Sequence, residues 1–194
     1  MSHRVSPEWL TAIGTLGTFV VIAASAAAAL FQLRHMRGSN QIVALTECRE
    51  TLESPEFGEA QNFVSFELPK RLKDPAEREK VAHIPFQGEY KAIATVANFF
   101  ESMGMFVKNG IIDQHLACDF WCYSVVRNWQ ALAPVISYVR QEINVPALWE
   151  NFEYMAVLSD DYLKAHPGGS FPAGTRRMPK DESLLDSIED NHVA

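Results

Sequence analysis

Between Glu8 and Arg34 the chain carries no charged residue, and that absence organises everything after it. At about 1.5 Å rise per residue, a helix over Trp9 to Leu33 exceeds the ~30 Å of a bilayer's hydrocarbon core. Other absences narrow the reading further. No segment shows strict alternation of apolar and polar residues bounded by turn residues, so no strand is predicted. Only three cysteines occur, Cys48, Cys118 and Cys122. An odd, sparse set is no disulfide framework and fits a reducing compartment. Basic residues are not in excess: the formal net charge is −7, which excludes the basic stripe of a nucleic-acid binder. Catalytic triads, glycine-rich phosphate loops, CxxC and HExxH motifs are missing. The chain therefore offers no ready-made cofactor site.

What is present begins with the anchor. Ser6-Pro7-Glu8 is a helix start, with serine as N-cap, proline in the first turn and an acid beside it. Trp9 stands where an interfacial aromatic belongs. Gly14, Thr18, Ser25 and Ala29 are small enough to let a second helix approach, and so mark a possible face for homo-oligomer formation or for a protein partner. Ala26-Ala27-Ala28 resembles a signal-peptide cleavage site, but Glu8 offsets Arg4 and the apolar run continues to Leu33 before Arg34 and Arg37 stop it. The segment reads as an uncleaved single-pass anchor in the lipid bilayer. Arg34, Arg37 and Arg49 outweigh Arg4, so the positive-inside rule puts the following domain in the cytoplasm.

The expected organisation is an anchor over residues 1–37, a helical domain over 38–166 and a disordered acidic tail over 167–194. Gly38-Ser39-Asn40 is expected to break or bend the anchor helix, which otherwise continues to about Glu53 through Ile42, Leu45, Cys48 and Leu52. Ser54-Pro55-Glu56 opens a helix whose end Pro69 and the Lys70-Arg71-Lys73 cluster are expected to mark. Asp74-Pro75-Ala76-Glu77 opens a short one with a capping-box pattern. Helical periodicity then runs over 86–109, closed by Asn109-Gly110, and over 113–143 behind Asp113, interrupted at Pro134, which removes one backbone bond and is expected to kink the helix. Asn144-Val145-Pro146 is expected to start the last helix. The tail holds Asp181, Glu182, Asp186, Glu189 and Asp190 around Leu184, Leu185 and Ile188. The fold class is all-α: one N-terminal transmembrane helix, then an antiparallel helical bundle.

The run Asn98-Phe99-Phe100-Glu101, Gly104 and Val107-Lys108-Asn109-Gly110-Ile111-Ile112-Asp113, with Trp129, Pro134, Arg140 and Trp149-Glu150-Asn151-Phe152-Glu153, resembles a bacterial family catalogued as domain of unknown function 4760. The resemblance spans about Ile42 to Leu163. It implies a membrane-tethered helical domain and carries no assigned activity, catalytic residue or ligand.

Two constellations are chemically suggestive. His115, Cys118, Asp119 and Cys122 fall at i, i+3, i+4 and i+7, one helical face. Imidazole, thiolates and carboxylate suit zinc in kind, but one straight helix does not wrap a tetrahedral ion, so no metal is assigned to His115, Cys118 and Cys122. Glu101 lies mid-way along the most apolar helix, where a charge is costly unless paired. An ion pair with Arg127 that fixes helix register is the expectation. The alternative groups Glu101, His115, Asp119, Arg127, Arg140 and Glu153 into a polar pocket between helices 86–109 and 113–143, as in an enzyme or ligand sensor. The leading functional expectation is a membrane-tethered interaction or regulatory module with no nucleic-acid partner and no cofactor.

Overall fold

The structure, a computed structural model, describes residues 7–179. The acidic stretch over 181–190 lies outside the described residues. Among those that are described there is no strand, and the fold is all-α.

Helix α1 runs without a break over Pro7–Leu52, 46 residues or about 69 Å. Of the break or bend expected at Gly38-Ser39-Asn40, the break does not occur, and the helix continues through. The i→i−4 ladder simply passes through, because no proline interrupts it. Thr11–Leu33 is long and apolar enough to cross a membrane, and none of it is buried against the protein. Among the described side chains, α1 meets the domain by its last turns. Ala44 and Cys48 are buried, and Leu45 and Leu52 pack on the core.

Helix α2, Pro55–Asn62, is capped by Ser54, whose hydroxyl accepts from the Phe57 amide at 3.2 Å. A π turn over Phe63–Glu67, in which Leu68 N–H reaches back to the Phe63 carbonyl, leads without a break into α3, Leu68–Arg71. The helical run thus ends at Arg71, within the Pro69 to Lys73 stretch expected to end it. α4, Pro75–Lys80, has Asp74 as N-cap through the Ala76 amide at 2.9 Å. The expected capping box does not close. Glu77 turns instead to Tyr90 Oη, Lys80 and Arg71.

A 3-10 turn, Gly88–Tyr90, precedes α5, Lys91–Lys108. α5 buries Ile93, Val96, Ala97, Phe100, Met103, Gly104 and Val107, a stripe at helical spacing. Gly110, at φ +68°, lets Ile111 N–H reach the Phe106 carbonyl and its own N–H reach Val107. That is the paired-bond ending that only a residue tolerating left-handed backbone supplies. Asp113 then accepts from the Leu116 amide at 3.0 Å and opens α6, Gln114–Glu142, which is continuous through Pro134.

The last helix, α7, is Glu150–Ala165 and does not start at Asn144-Val145-Pro146 as expected. Asn144 ends α6 instead. At φ +53° it repeats the role of Gly110, with Val145 N–H bonded to the Arg140 carbonyl and Asn144 N–H to Gln141. The sequence signal is ambiguous because asparagine is favoured both as N-cap and in left-handed helix endings. α7 packs more extensively on α5 and on α6 than those two pack on each other. It is antiparallel to α6: Glu153 meets Arg140, while Tyr162 meets Asp119. The core is centred on Phe57, Phe100 and Phe152, with Phe100 and Phe152 stacked at 5.0 Å and Trp129 edge-on to Phe152 at 5.1 Å.

Candidate functional site at the α5–α7 junction

The first turn of α7 has no cap of its own. Its flanking residue Trp149 sits at φ +56°, and its side chain makes no capping bond. Helix α5 supplies what is missing. Glu101 Oε2 accepts from the Phe152 amide at 2.9 Å, and Oε1 accepts from Asn151 Nδ2 at 2.7 Å. A carboxylate here satisfies an otherwise orphaned amide and sits at the positive end of the helix dipole. The expected ion pair between Glu101 and Arg127 is therefore replaced. Glu101 faces the first turn of α7, and its charge is met by amides there. Arg127 lies over the Phe66 ring at 5.1 Å instead.

The helices cross closely at Gly104. A Cβ built there would stand 2.0 Å from the Asn151 carbonyl oxygen. Around this crossing, Asn98 Oδ1 accepts from Trp149 Nε1 at 2.8 Å, and Lys108 Nζ reaches Glu150 at 3.3 Å and Asn151 at 3.2 Å. Arg140 donates from Nε to the Leu148 carbonyl at 2.8 Å and from Nη1 to Glu153 at 2.7 Å, while its Nη2 is buried without a partner. Trp149 itself is 6% exposed and stacks on Phe86, ring centroids 6.4 Å apart. A bulky residue in left-handed backbone is strained, and it persists because the indole bond and the stack fix it. Beside it lies a groove of about 470 Å³.

A second polar cluster forms at the other end of α7. Tyr162 Oη donates to Asp119 Oδ1 at 3.1 Å, and Ser170 Oγ bonds the same oxygen. His115 and His166 flank Tyr162, ring centroids 5.4 and 4.3 Å away. His166 Nδ1 meets the Tyr162 carbonyl at 2.9 Å. The hydroxyls of Ser170 and Tyr162, with the nearby imidazoles, hold the Asp119 carboxyl below its ordinary value.

The six residues expected to line one pocket thus occupy separate places. Glu101, Arg140 and Glu153 stand at the start of α7, His115 and Asp119 near its end, and Arg127 on the far face against Phe66. The His115, Cys118, Asp119, Cys122 face also divides. His115 and Asp119 are exposed, Cys118 and Cys122 are buried. Sequence reasoning missed Asn98, Lys108 and Asn151 as partners, and Tyr162, His166 and Ser170 as members of the second cluster. The pairing of Asn98-Phe99-Phe100-Glu101 with Trp149-Glu150-Asn151-Phe152 was visible only as two separate motifs.

From residue 19 to 158 the chain matches the model of a family described as Domain of unknown function (DUF4760). The chain belongs to this family. No curated protein and no solved structure matches it. The DUF4760 match begins at Phe19, inside the apolar half of α1, so the family's domain includes that helix's exit toward the bundle. It also takes in both motifs that build the α5–α7 junction.

Burial pushes the Cys118 thiol from its ordinary 9.0 up to about 11, with Cys122 alongside adding to it, and burial raises Cys122 and Cys48 as well. The thiolate is the nucleophile, so the folded chain is expected to leave its thiols unmodified by a disulfide reagent at pH 8, and to expose three on denaturation. Fast labelling of the native chain would contradict this. The sign for stability follows: above about pH 9 the unfolded thiol ionises while the folded one stays neutral, so stability falls as pH rises toward 11.

Proposed function

We propose that this DUF4760 protein is a single-pass, membrane-tethered helical interaction or regulatory module of a bacterial plasma membrane, its domain in the cytoplasm. The observation that carries the reading is the unbroken α1, which joins an exposed apolar span directly to the bundle through Ala44 and Cys48. Without a hinge, any rotation or pairing of the span is passed to the domain. Arg34, Arg37 and Arg49 on the domain side, and three unpaired thiols, support the cytoplasmic orientation.

The phase of α1 supports self-association as the way the module is assembled. At about 100° per residue, Gly14, Thr18, Ser25 and Ala29 lie within about 60° of one another. They stand roughly 130° around the helix from Ala44, Cys48 and Leu52, which dock the domain. A partner helix on the small face would not collide with the chain's own bundle.

Oxidative crosslinking in native membranes tests this. Ala29→Cys is expected to give a covalent dimer and Ala27→Cys, on the opposite side, to stay monomeric; the native thiols are buried and silent. Equal crosslinking at both positions would sink the self-association. Release of the chain from membranes by alkaline carbonate would sink the anchor.

A further inference from the structure

The groove beside Trp149 has a composition that specifies a ligand. From α5 it takes Lys91, Ala94 and Asn98, at i, i+3 and i+7 on one helical face. Ile84, Pro85 and Leu148 form the accessible apolar wall, backed by the buried Phe86 and Trp149. One cation lines it and no carboxylate does, in a chain whose net charge is −7. Among the described residues the Lys91 ammonium, like that of Lys73, has no ion pair, whereas Lys70, Lys80, Lys108 and Lys164 each have one. Asn98 spends its oxygen on the Trp149 indole, which leaves its amide N–H groups as further donors. The polar lining side chains thus offer an ammonium and an amide N–H₂, and the other lining side chains are apolar. At about 470 Å³ the groove lies in the range of small-molecule sites. Its back wall is the strained Trp149, the kind of over-determined residue that gathers at ligand clamps.

We propose that this groove binds a small monoanionic amphiphile of the arylalkyl-carboxylate class. The carboxylate is held by Lys91 and by the Asn98 amide, and the apolar body lies against Ile84, Pro85 and Leu148, over the buried Phe86 and Trp149 rings. The ammonium–carboxylate contact, made at an exposed rim, gives the charge selectivity, and the apolar wall gives the apolar selectivity.

The test uses full-length protein in nanodiscs, with empty nanodiscs as blank, titrated with 4-phenylbutyrate, its uncharged amide and inorganic phosphate. Saturation-transfer NMR and calorimetry read the binding. The expected result is saturable 1:1 binding of 4-phenylbutyrate, at least tenfold weaker binding of the amide, and none of phosphate. Lys91→Met, which keeps the length and apolar stem of the side chain, is expected to lose about tenfold for phenylbutyrate and nothing for the amide. Ala94→Trp fills the groove from a half-buried position on α5 that also packs on the core, and is expected to abolish binding while the helical signal is kept. Binding of acid and amide alike, binding of phosphate alone, survival of binding in Ala94→Trp, or no saturable binding would each overturn the proposal.

Discussion

Gly104→Ala is expected to lower the melting temperature of the bundle by about 10 °C. The added methyl would meet backbone, the Asn151 carbonyl oxygen 2.0 Å away and its carbon at 2.6 Å, so no side-chain rotation relieves it. Overpacking of a tight core typically costs about 1–3 kcal/mol, and a backbone clash belongs at the upper end or beyond. Better helix propensity returns only about 1 kcal/mol. A net loss of about 2–3 kcal/mol corresponds to roughly 10 °C for a domain of this size. Gly58→Ala is the internal control. It lies within α2 with nothing inside 4 Å of the new atom, so the same change there should be neutral or stabilising by up to about 1 kcal/mol. Thermal melts of both variants decide the matter. If Gly104→Ala melts like Gly58→Ala, the close crossing of α5 and α7 is not what holds the bundle.

Glu101→Leu is expected to cost about 2–3 kcal/mol, because it leaves the Phe152 amide and the Asn151 amide group without acceptors at a helix end that has no other cap. Glu101→Gln should cost about half as much. It keeps one acceptor but turns an N–H₂ toward a donor and removes the charge at the dipole's positive end. Urea titrations give the totals, and hydrogen exchange locates them. Protection should fall first at the opening turn of α7, near Phe152, while the amides in the middle of α6 keep theirs. Glu101→Leu with an unchanged midpoint would show that the cap contributes nothing. Faster exchange spread evenly over the bundle would show that Glu101 acts through general packing.

Both predictions rest on contacts between residues about fifty positions apart, and that separation explains what could be read in advance. The sequence by itself determined the element content. The charge-free run sets α1, Ser54, Asp74 and Asp113 cap the helices that follow them, Gly110 ends α5, and the apolar stripe of α5 follows the 3.6-residue period. These are local signals, because a cap or a stripe is written within a few residues of where it acts. It also determined that Glu101 needs a partner, since a charge in that stripe cannot stay bare.

Only the tertiary structure decided which partner. A hairpin of α5 and α6 suggested Arg127, but α7 packs on both helices and presents its uncapped first turn to Glu101. The same packing separated the six residues grouped as one polar pocket and brought Tyr162, His166 and Ser170 to Asp119. It turned Cys118 and Cys122 into the core and His115 and Asp119 out of it, a division that helical spacing alone does not give for neighbours on one face. Asn144 ended a helix where local propensity allowed a start, and a π turn carried the chain into α3 before it ended at Arg71. Periodicity states which face of a helix is apolar. What that face meets depends on which other helix buries it best, and here that choice fell to α7, the last helix in the chain.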